Sequence, residues 1–312
     1  MNKSTQREIR EDFISLKIDF AFKHVMKNKK VLRGLLGAVF NIAPEEITDI
    51  EFRDPHLNKS SSDEKQGILD IRITINHMEH INIELQVTPF KYWKNRSMFY
   101  NFKMFVDQAS PGSKYEEFTP CIHISILDFN LFPESKKFHS KIQLIDTENY
   151  KLFTDKIVFH MIELGKIQYT SPKGSENELY HWCELMNANS EEEYQLLSEK
   201  NEYIKEAVDE LEKIKQDRWL KEEYLKRQMA IMDEATQKAS YYEDGLEDGM
   251  KQGLEQGLEQ GIEQGIEQGI EQERQRGRLE TVTNAIKLGL TNEQIHTLTD
   301  MAEEDIEKLR IN

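Results

Sequence analysis

The chain has 312 residues, 38% hydrophobic and 31% charged, which provides for about two domains under a large polar surface. Its longest apolar runs, such as residues 122–127, fall far short of the roughly 18 residues a membrane-spanning helix needs, so no membrane span is expected. The net charge of −16 is unevenly placed: residues 1–140 carry 20 basic and 19 acidic side chains (+1), residues 141–312 carry 21 and 38 (−17), so a nucleic-acid site is electrostatically open to the first half and disfavoured in the second.

In residues 14–42 the apolar side chains Ile14, Ile18, Ala21, Phe22, Val25, Met26, Val31, Leu35, Leu36, Val39 and Phe40 fall at helical spacing, which predicts two helices broken at Asn28-Lys29-Lys30 and stopped before Pro44. Residues 47–52 read as a short strand. Ile71, Ile73 and Ile75 then alternate with polar residues, Asn76-His77-Met78-Glu79 reads as a turn, and Ile81, Ile83, Leu85 and Val87 alternate in their turn. This is the pattern of a β-hairpin. Residues 90–109 read as an aromatic-rich helix with a basic side (Lys91, Lys94, Arg96, Lys103), ended by Ser110-Pro111-Gly112. Residues 122–129 suit a buried strand and residues 157–164 a further one. Everything beyond about residue 175 reads as helical.

Glycine recurs every fourth residue at 245, 249, 253, 257, 261, 265 and 269, mostly as Gly-Leu/Ile-Glu-Gln. In a helix of 3.6 residues per turn the glycine stripe drifts by about 40° per repeat. Seven such glycines cost on the order of 6–7 kcal/mol against alanine. Either close helix–helix approach offsets that cost, giving oligomers, or the segment is an acidic spacer. The last stretch, residues 281–309, reads as two short helices with Thr291 as an N-cap.

The candidate chemistry lies in the hairpin. Strand side chains have a period of two, so if the isoleucines of both strands face one core, Asp70, Glu84 and Gln86 share the other face. A turn centred on His77 puts Asp70 across from Glu84, with the two carboxylates roughly 5 Å apart. Such a pair repels itself unless one group is protonated or a cation lies between them, and hard oxygen ligands suit Mg²⁺. Gln86 can orient a water at that place but is no base. The competing account is simple: polar residues alternating with isoleucine are what any solvent-facing strand shows.

The residues Asp19-Phe20-Ala21-Phe22-Lys23, Leu69-Asp70-Ile71, Asn82-Ile83-Glu84-Leu85-Gln86, Arg96 with Tyr100, and Ile126-Leu127-Asp128-Phe129 before Leu131-Phe132 resemble a PD-(D/E)XK nuclease core. More narrowly they resemble the bacterial recombination-promoting nuclease (Rpn) and transposase-like family. The match is best over residues 14–133, and the acidic tail resembles that family more loosely. The resemblance implies a restriction-endonuclease-like α/β fold, a mixed sheet flanked by helices. It implies Asp70 and Glu84 as ligands of Mg²⁺ (or Mn²⁺), Gln86 in the place of the usual lysine, and metal-dependent DNA cleavage that promotes recombination.

Other residues carry weaker signals. Lys23 and Arg96 could contact phosphate or be ordinary solvated bases, and Asp19 could support the site or simply favour a helix start. Asp63 and Lys65 precede Asp70 in a loop that could approach it. His77 and His80 fall in the expected turn with no cysteine near, which argues against zinc. Cys121 reads as a small core residue. Two cysteines and no apolar stretch behind Met1 to Ser4 suggest a reducing, cytoplasmic setting.

The expected organisation is a nuclease core over residues 1–165, a helical region over 166–240, the glycine repeat over 241–278 as helix or spacer, and a small helical module over 279–312. The expected function is a Mg²⁺-dependent endonuclease acting on DNA, self-associating through its tail. The rival is a catalytically inactive nuclease-fold scaffold. Strand transfer to a 3′ hydroxyl is not distinguished from hydrolysis by these residues.

Overall fold

The computed structural model describes residues 13–57, 69–169 and 177–311. These divide into two compact units, residues 1–233 and 234–312. Asp63 and Lys65 lie outside the described residues.

The first unit is built on a mixed sheet of six strands among the described residues: β1 (Ile50–Phe52), β2 (Ile71–Ile75), β3 (Glu79–Gln86), β4 (Cys121–Leu127), β5 (His139–Ile145) and β6 (Leu152–Glu163). Their order across the sheet is β1-β2-β3-β4-β6-β5. The β1–β2, β2–β3 and β5–β6 pairs are antiparallel, whereas β3–β4 and β4–β6 are parallel and central. The expected hairpin is β2–β3, with Ile73 paired to Ile81 and Ile71 to Ile83. Asn76 and His77 form the turn in the left-handed region, at φ 49° and 57°, a conformation asparagine tolerates well. His80, expected in that turn, belongs instead to β3.

Helices cover both faces of the sheet. On one side α1 (Asp19–Met26) and α2 (Lys29–Phe40) share a continuous core with α4 (Glu178–Asn187), α5 (Glu191–Ser198) and α6 (Glu202–Gln216). Ile81, Ile83 and Leu85 of β3 point into it. The break at Asn28 is an N-cap, its side chain accepting from the Lys30 and Val31 amides. Gly34 admits α6 at close range, since a Cβ there would collide with the Tyr203 side chain. On the other side lies α3 (Trp93–Val106), with Tyr100 and Met104 packed on Cys121, Ile157, Phe159 and Met161.

Two expectations are corrected. The first helix starts at Asp19 rather than near residue 14. Ile14, Leu16 and Ile18 are buried in an irregular segment whose residues 15–18 form a turn, the Ile18 amide donating to the Ser15 carbonyl at 3.2 Å. Tyrosine hydroxyls serve that backbone: Tyr224 accepts from the Ser15 amide at 2.9 Å, while Tyr194 accepts from the Leu16 amide and donates to the Ile14 carbonyl at 3.0 Å. Strand β5 was not foreseen. Its sequence, His-Ser-Lys-Ile-Gln-Leu-Ile, sits half-exposed at a sheet edge, where burial imposes little pattern.

Helix α7 (Arg218–Lys287) is continuous through the glycine repeat, and its glycines have open space around them. In the second unit the final turns of α7 pack with α8 (Asn292–Thr299) and α9 (Glu303–Ile311) through Val282, Ala285, Ile295 and Ile306. The expected first short helix of that module is therefore the end of α7. Thr291 is the N-cap of α8, in a capping box with Gln294. No described helix is long and apolar enough to cross a membrane.

Candidate active site

The hairpin register brings the two expected acids together. Ile71 pairs with Ile83, so one step further out Asp70 stands opposite Glu84. Glu84 lies on the strand face opposite Ile83 and Leu85, which turns it under α3. The polar alternation of β3 is therefore not a solvent face: Glu84 is 1% exposed and Asn82 fully buried. An acid in this position pays for lost hydration, and burial, with Asp70 close by, raises the Glu84 pKa from 4.5 to about 7. Burial also raises Asp70, against the pull of Lys23.

Each carboxylate oxygen has a distinct neighbour. Asp70 Oδ1 is 2.9 Å from Lys23 Nζ, and Oδ2 accepts from the Leu85 amide at 3.3 Å. Lys23 also reaches Asp19 Oδ1 at 2.9 Å. Burial opposes its charge, but Asp70 and Asp19 together outweigh it and hold the lysine pKa above its ordinary value. Lys23 thus comes from α1 to pair with Asp70, just before β2. Glu84 Oε1 accepts from Asn82 Nδ2 at 3.3 Å, while Oε2 accepts no hydrogen bond and has the Arg96 guanidinium 3.9 Å away. Arg96 is itself stacked over Trp93 and Tyr100, 5.3 and 5.2 Å from the ring centres. Gln86 follows on the same strand face, but its amide nitrogen donates to the Thr88 carbonyl at 2.8 Å. Only its carbonyl oxygen remains to accept from a water.

Beneath Glu84 runs a buried network that the sequence reading missed. Asn82 Nδ2 also meets His123 Nδ1 at 3.0 Å, and His123 Nε2 meets Ser125 Oγ at 2.9 Å. Trp93 Nε1 donates to the same hydroxyl at 3.0 Å. Because an amide nitrogen can only donate, Nδ1 accepts and the His123 proton sits on Nε2. Burial and then Arg96 push this imidazole down to about 3, so it stays neutral. A signal was present: His123 and Ser125 alternate with Ile122, Ile124 and Ile126 with the same period of two as Glu84 among its isoleucines. Reading that run as uniformly apolar concealed it.

The segment after β4 is fastened beside the site. The Asp128 amide donates to the Gln86 carbonyl at 3.0 Å, and the Asp128 side chain pairs with Lys17 at 2.7 Å. Glu163 accepts from the Leu131 and Phe132 amides at 2.6 and 3.1 Å, and its other oxygen is 2.8 Å from buried Lys166. These contacts hold the loop beside the site. Neither cysteine is available as a nucleophile: both are buried, and burial pushes the Cys121 thiol up to about 12 and that of Cys183 up as well.

A second group of possible cation ligands stands at the other end of the hairpin. Asp49, Glu51 and His77 offer ligand atoms within 4.8 Å of one another. The pairing of Ile50 with Ile75 assembles them, and no local spacing in the sequence announces it. His77 is exposed, and Glu51 is engaged by Arg53 at 2.6 Å.

Of the two, the Asp70–Glu84 site fits a divalent cation better. Each site contains a buried carboxylate oxygen with no hydrogen-bond donor, Glu84 Oε2 at this one and Asp49 Oδ2 at the other, the deficit a hard cation would fill. Glu84, however, is buried as a whole residue at 1% exposure, whereas the Asp49 side chain is 35% exposed. In comparisons with known proteins, the model of the family described as PD-(D/E)XK nuclease family transposase matches residues 16–240. No curated protein and no solved structure matches the chain.

Proposed function

Since the chain belongs to the PD-(D/E)XK nuclease family transposases, the Rpn family, we propose that it is a Mg²⁺-dependent endonuclease that cuts DNA at Asp70 and Glu84 and whose breaks promote recombination. The observation that carries this reading is the buried Glu84 carboxylate, its Oε2 without a donor and its pKa raised to about 7 beside a second acid. Asp70 and Glu84 would hold the cation, and Mn²⁺ would substitute. A bound divalent ion supplies a more acidic water and neutralises charge on the phosphodiester.

The remaining roles fall to side chains of this chain. Lys23, kept protonated by Asp19 and Asp70, provides the positive charge that Gln86 cannot, on the Asp70 side of the site. Arg96, held by Trp93 and Tyr100, presents guanidinium donors to a phosphate oxygen. Gln86 accepts from the attacking water through its carbonyl and orients it; an amide takes up no proton at neutral pH. The test is plasmid nicking or linearisation with Mg²⁺, Mn²⁺ or EDTA. Cleavage in either metal and none in EDTA is expected, and no cleavage with any metal would overturn the reading.

One observation favours the scaffold reading: Lys23 already neutralises Asp70 without a cation. That reading predicts no cleavage and no cation binding. We infer further that the tail self-associates. Leu246, Met250, Leu254, Leu258, Ile262, Ile266 and Ile270 each follow a glycine and are all exposed. A chain cut at residue 240 should sediment as a monomer and the full chain as an oligomer; a truncated dimer would contradict this.

A further inference from the structure

Helix α3 buries Trp93, Tyr100 and Met104 against the sheet, yet its outward face is apolar as well. Tyr92, Met98 and Val106 are 57%, 48% and 60% exposed, and Phe90, Phe99 and Phe102 are exposed beside them. A soluble chain gains nothing by presenting aromatic rings to water unless something covers them.

The charges around these rings indicate what does. From Pro89 to Val106 there is no aspartate or glutamate, in a chain whose net charge is −16. The same stretch carries Lys91, Lys94, Arg96 and Lys103. Lys103 is drawn to Asp107 at 3.5 Å. Lys91 and Lys94 are exposed, with Lys91 Nζ 5.5 Å from the centre of the Tyr92 ring and Lys94 Nζ 4.7 Å from that of Phe132. Arg96 occupies the flank that approaches Glu84. The surface therefore has its cations, Lys91, Lys94 and Arg96, at the start of the helix, with Arg96 beside the acid pair, and its exposed rings Phe99 and Phe102 further along.

We propose that this face of α3 binds single-stranded DNA, with bases stacked on Phe99 and Phe102 and phosphates drawn to Lys91 and Lys94. This rests on the nuclease reading above and gives that site a preference within DNA: substrates that offer an unpaired strand, the locally melted segments of a supercoiled plasmid included. In a duplex the base faces are stacked on one another and only phosphates and groove edges are offered, so exposed rings gain nothing from it. An unpaired strand offers both a π-face and a phosphate at every step, the combination that aromatic and basic surfaces recognise. A second copy docking through the same face would bring like charges together with no carboxylate on that face to offset them.

The experiment is fluorescence anisotropy of a labelled oligo-dT strand and of a duplex of equal length, with the full chain in EDTA so that nothing is cut. The strand is expected to bind more tightly than the duplex. Replacing Phe99→Leu and Phe102→Leu together, which keeps apolar area but removes the rings, should weaken strand binding by roughly tenfold or more. The matching Phe99→Tyr and Phe102→Tyr pair should bind as the unaltered chain does, with sedimentation unchanged in both. Lys91→Gln with Lys94→Gln should reduce the slope of log K against log salt by about 1.4.

Strand binding untouched by the leucine pair, or a duplex bound as tightly as the strand, would overturn the proposal. Self-association that the leucine pair abolishes would assign the face to a second copy and overturn it too. Failure here is separable from failure of the nuclease reading. A chain that binds the strand but never cuts retains the surface and loses the enzyme, while one that cuts duplex without binding strand does the reverse.

Discussion

The two ends of the β2–β3 hairpin each gather acidic residues, each with a basic partner on one acid, and they differ most in burial. At the turn end Asp49, Glu51 and His77 converge within 4.8 Å, one ligand more than at the other end. Yet His77 is exposed and Glu51 has its own arginine partner. At the open end only Asp70 and Glu84 meet, but α3 covers Glu84, leaves one oxygen without a donor and raises its pKa to about 7. The two ends are about five strand residues apart, roughly 17 Å. Asp49 Oδ2 also lacks a donor, but its side chain is 35% exposed, against 1% for Glu84. The contrast teaches that ligand count is a weaker guide than burial of the whole carboxylate, because water can reach a partly exposed one and a buried one is left in deficit until a cation arrives.

The sharpest way to break this comparison is cleavage. Asp70→Ala should lower the plasmid-cutting rate by more than the ~100-fold that loss of a mere supporting group costs. Asp49→Ala should leave the rate within a factor of about two.

Stability of the metal-free chain is the next contrast. Glu84 has a folded pKa above its unfolded value, so its contribution is fully present below pH 4.5 and is lost as pH rises through about 7. Glu84→Gln removes that loss. At pH 8 it should stabilise the first unit by on the order of 3 kcal/mol in a denaturant titration, with no gain at pH 4.

A smaller effect is expected in cation binding. The ion must displace a proton from Glu84 below about pH 7. Mg²⁺ affinity measured by calorimetry should therefore rise by up to about tenfold per pH unit below 7 and flatten above it. An affinity flat from pH 5.5 to 8 would count against Glu84 as a ligand. Least of all should happen at the exposed turn. His77→Asn, which suits the left-handed backbone there, should change stability by no more than about 0.5 kcal/mol.

Much of the site followed from period-two alternation alone. Ile71, Ile73 and Ile75 facing Ile83, Ile81 and Glu79 about His77 set a register that carries Asp70 to Glu84. Which face of that hairpin meets water was a different matter. Alternation of isoleucine with Asn82, Glu84 and Gln86 looks solvated until α3 is laid across it, and that is a tertiary fact. A clue existed in residues 90–109, whose rings are too many for one buried helix face. Lys23 reaching Asp70 depends on how α1 meets the sheet, and the Asp49–Glu51–His77 group depends on β1 joining it; no local spacing encodes either. The Ile14 segment misled because Ile14 and Ile18 fit a helix as well as they fit an irregular segment with a turn over residues 15–18, and the tyrosines that hold that backbone come from α5 and α7, some 200 residues away.

The most direct measurement is Mn²⁺ binding, followed by electron paramagnetic resonance, to the intact chain and to its Glu84→Gln and Glu51→Gln forms at pH 8. One bound ion that vanishes in Glu84→Gln and persists in Glu51→Gln is the predicted result. An ion that persists in Glu84→Gln and vanishes in Glu51→Gln would place the metal at the exposed end and contradict the account.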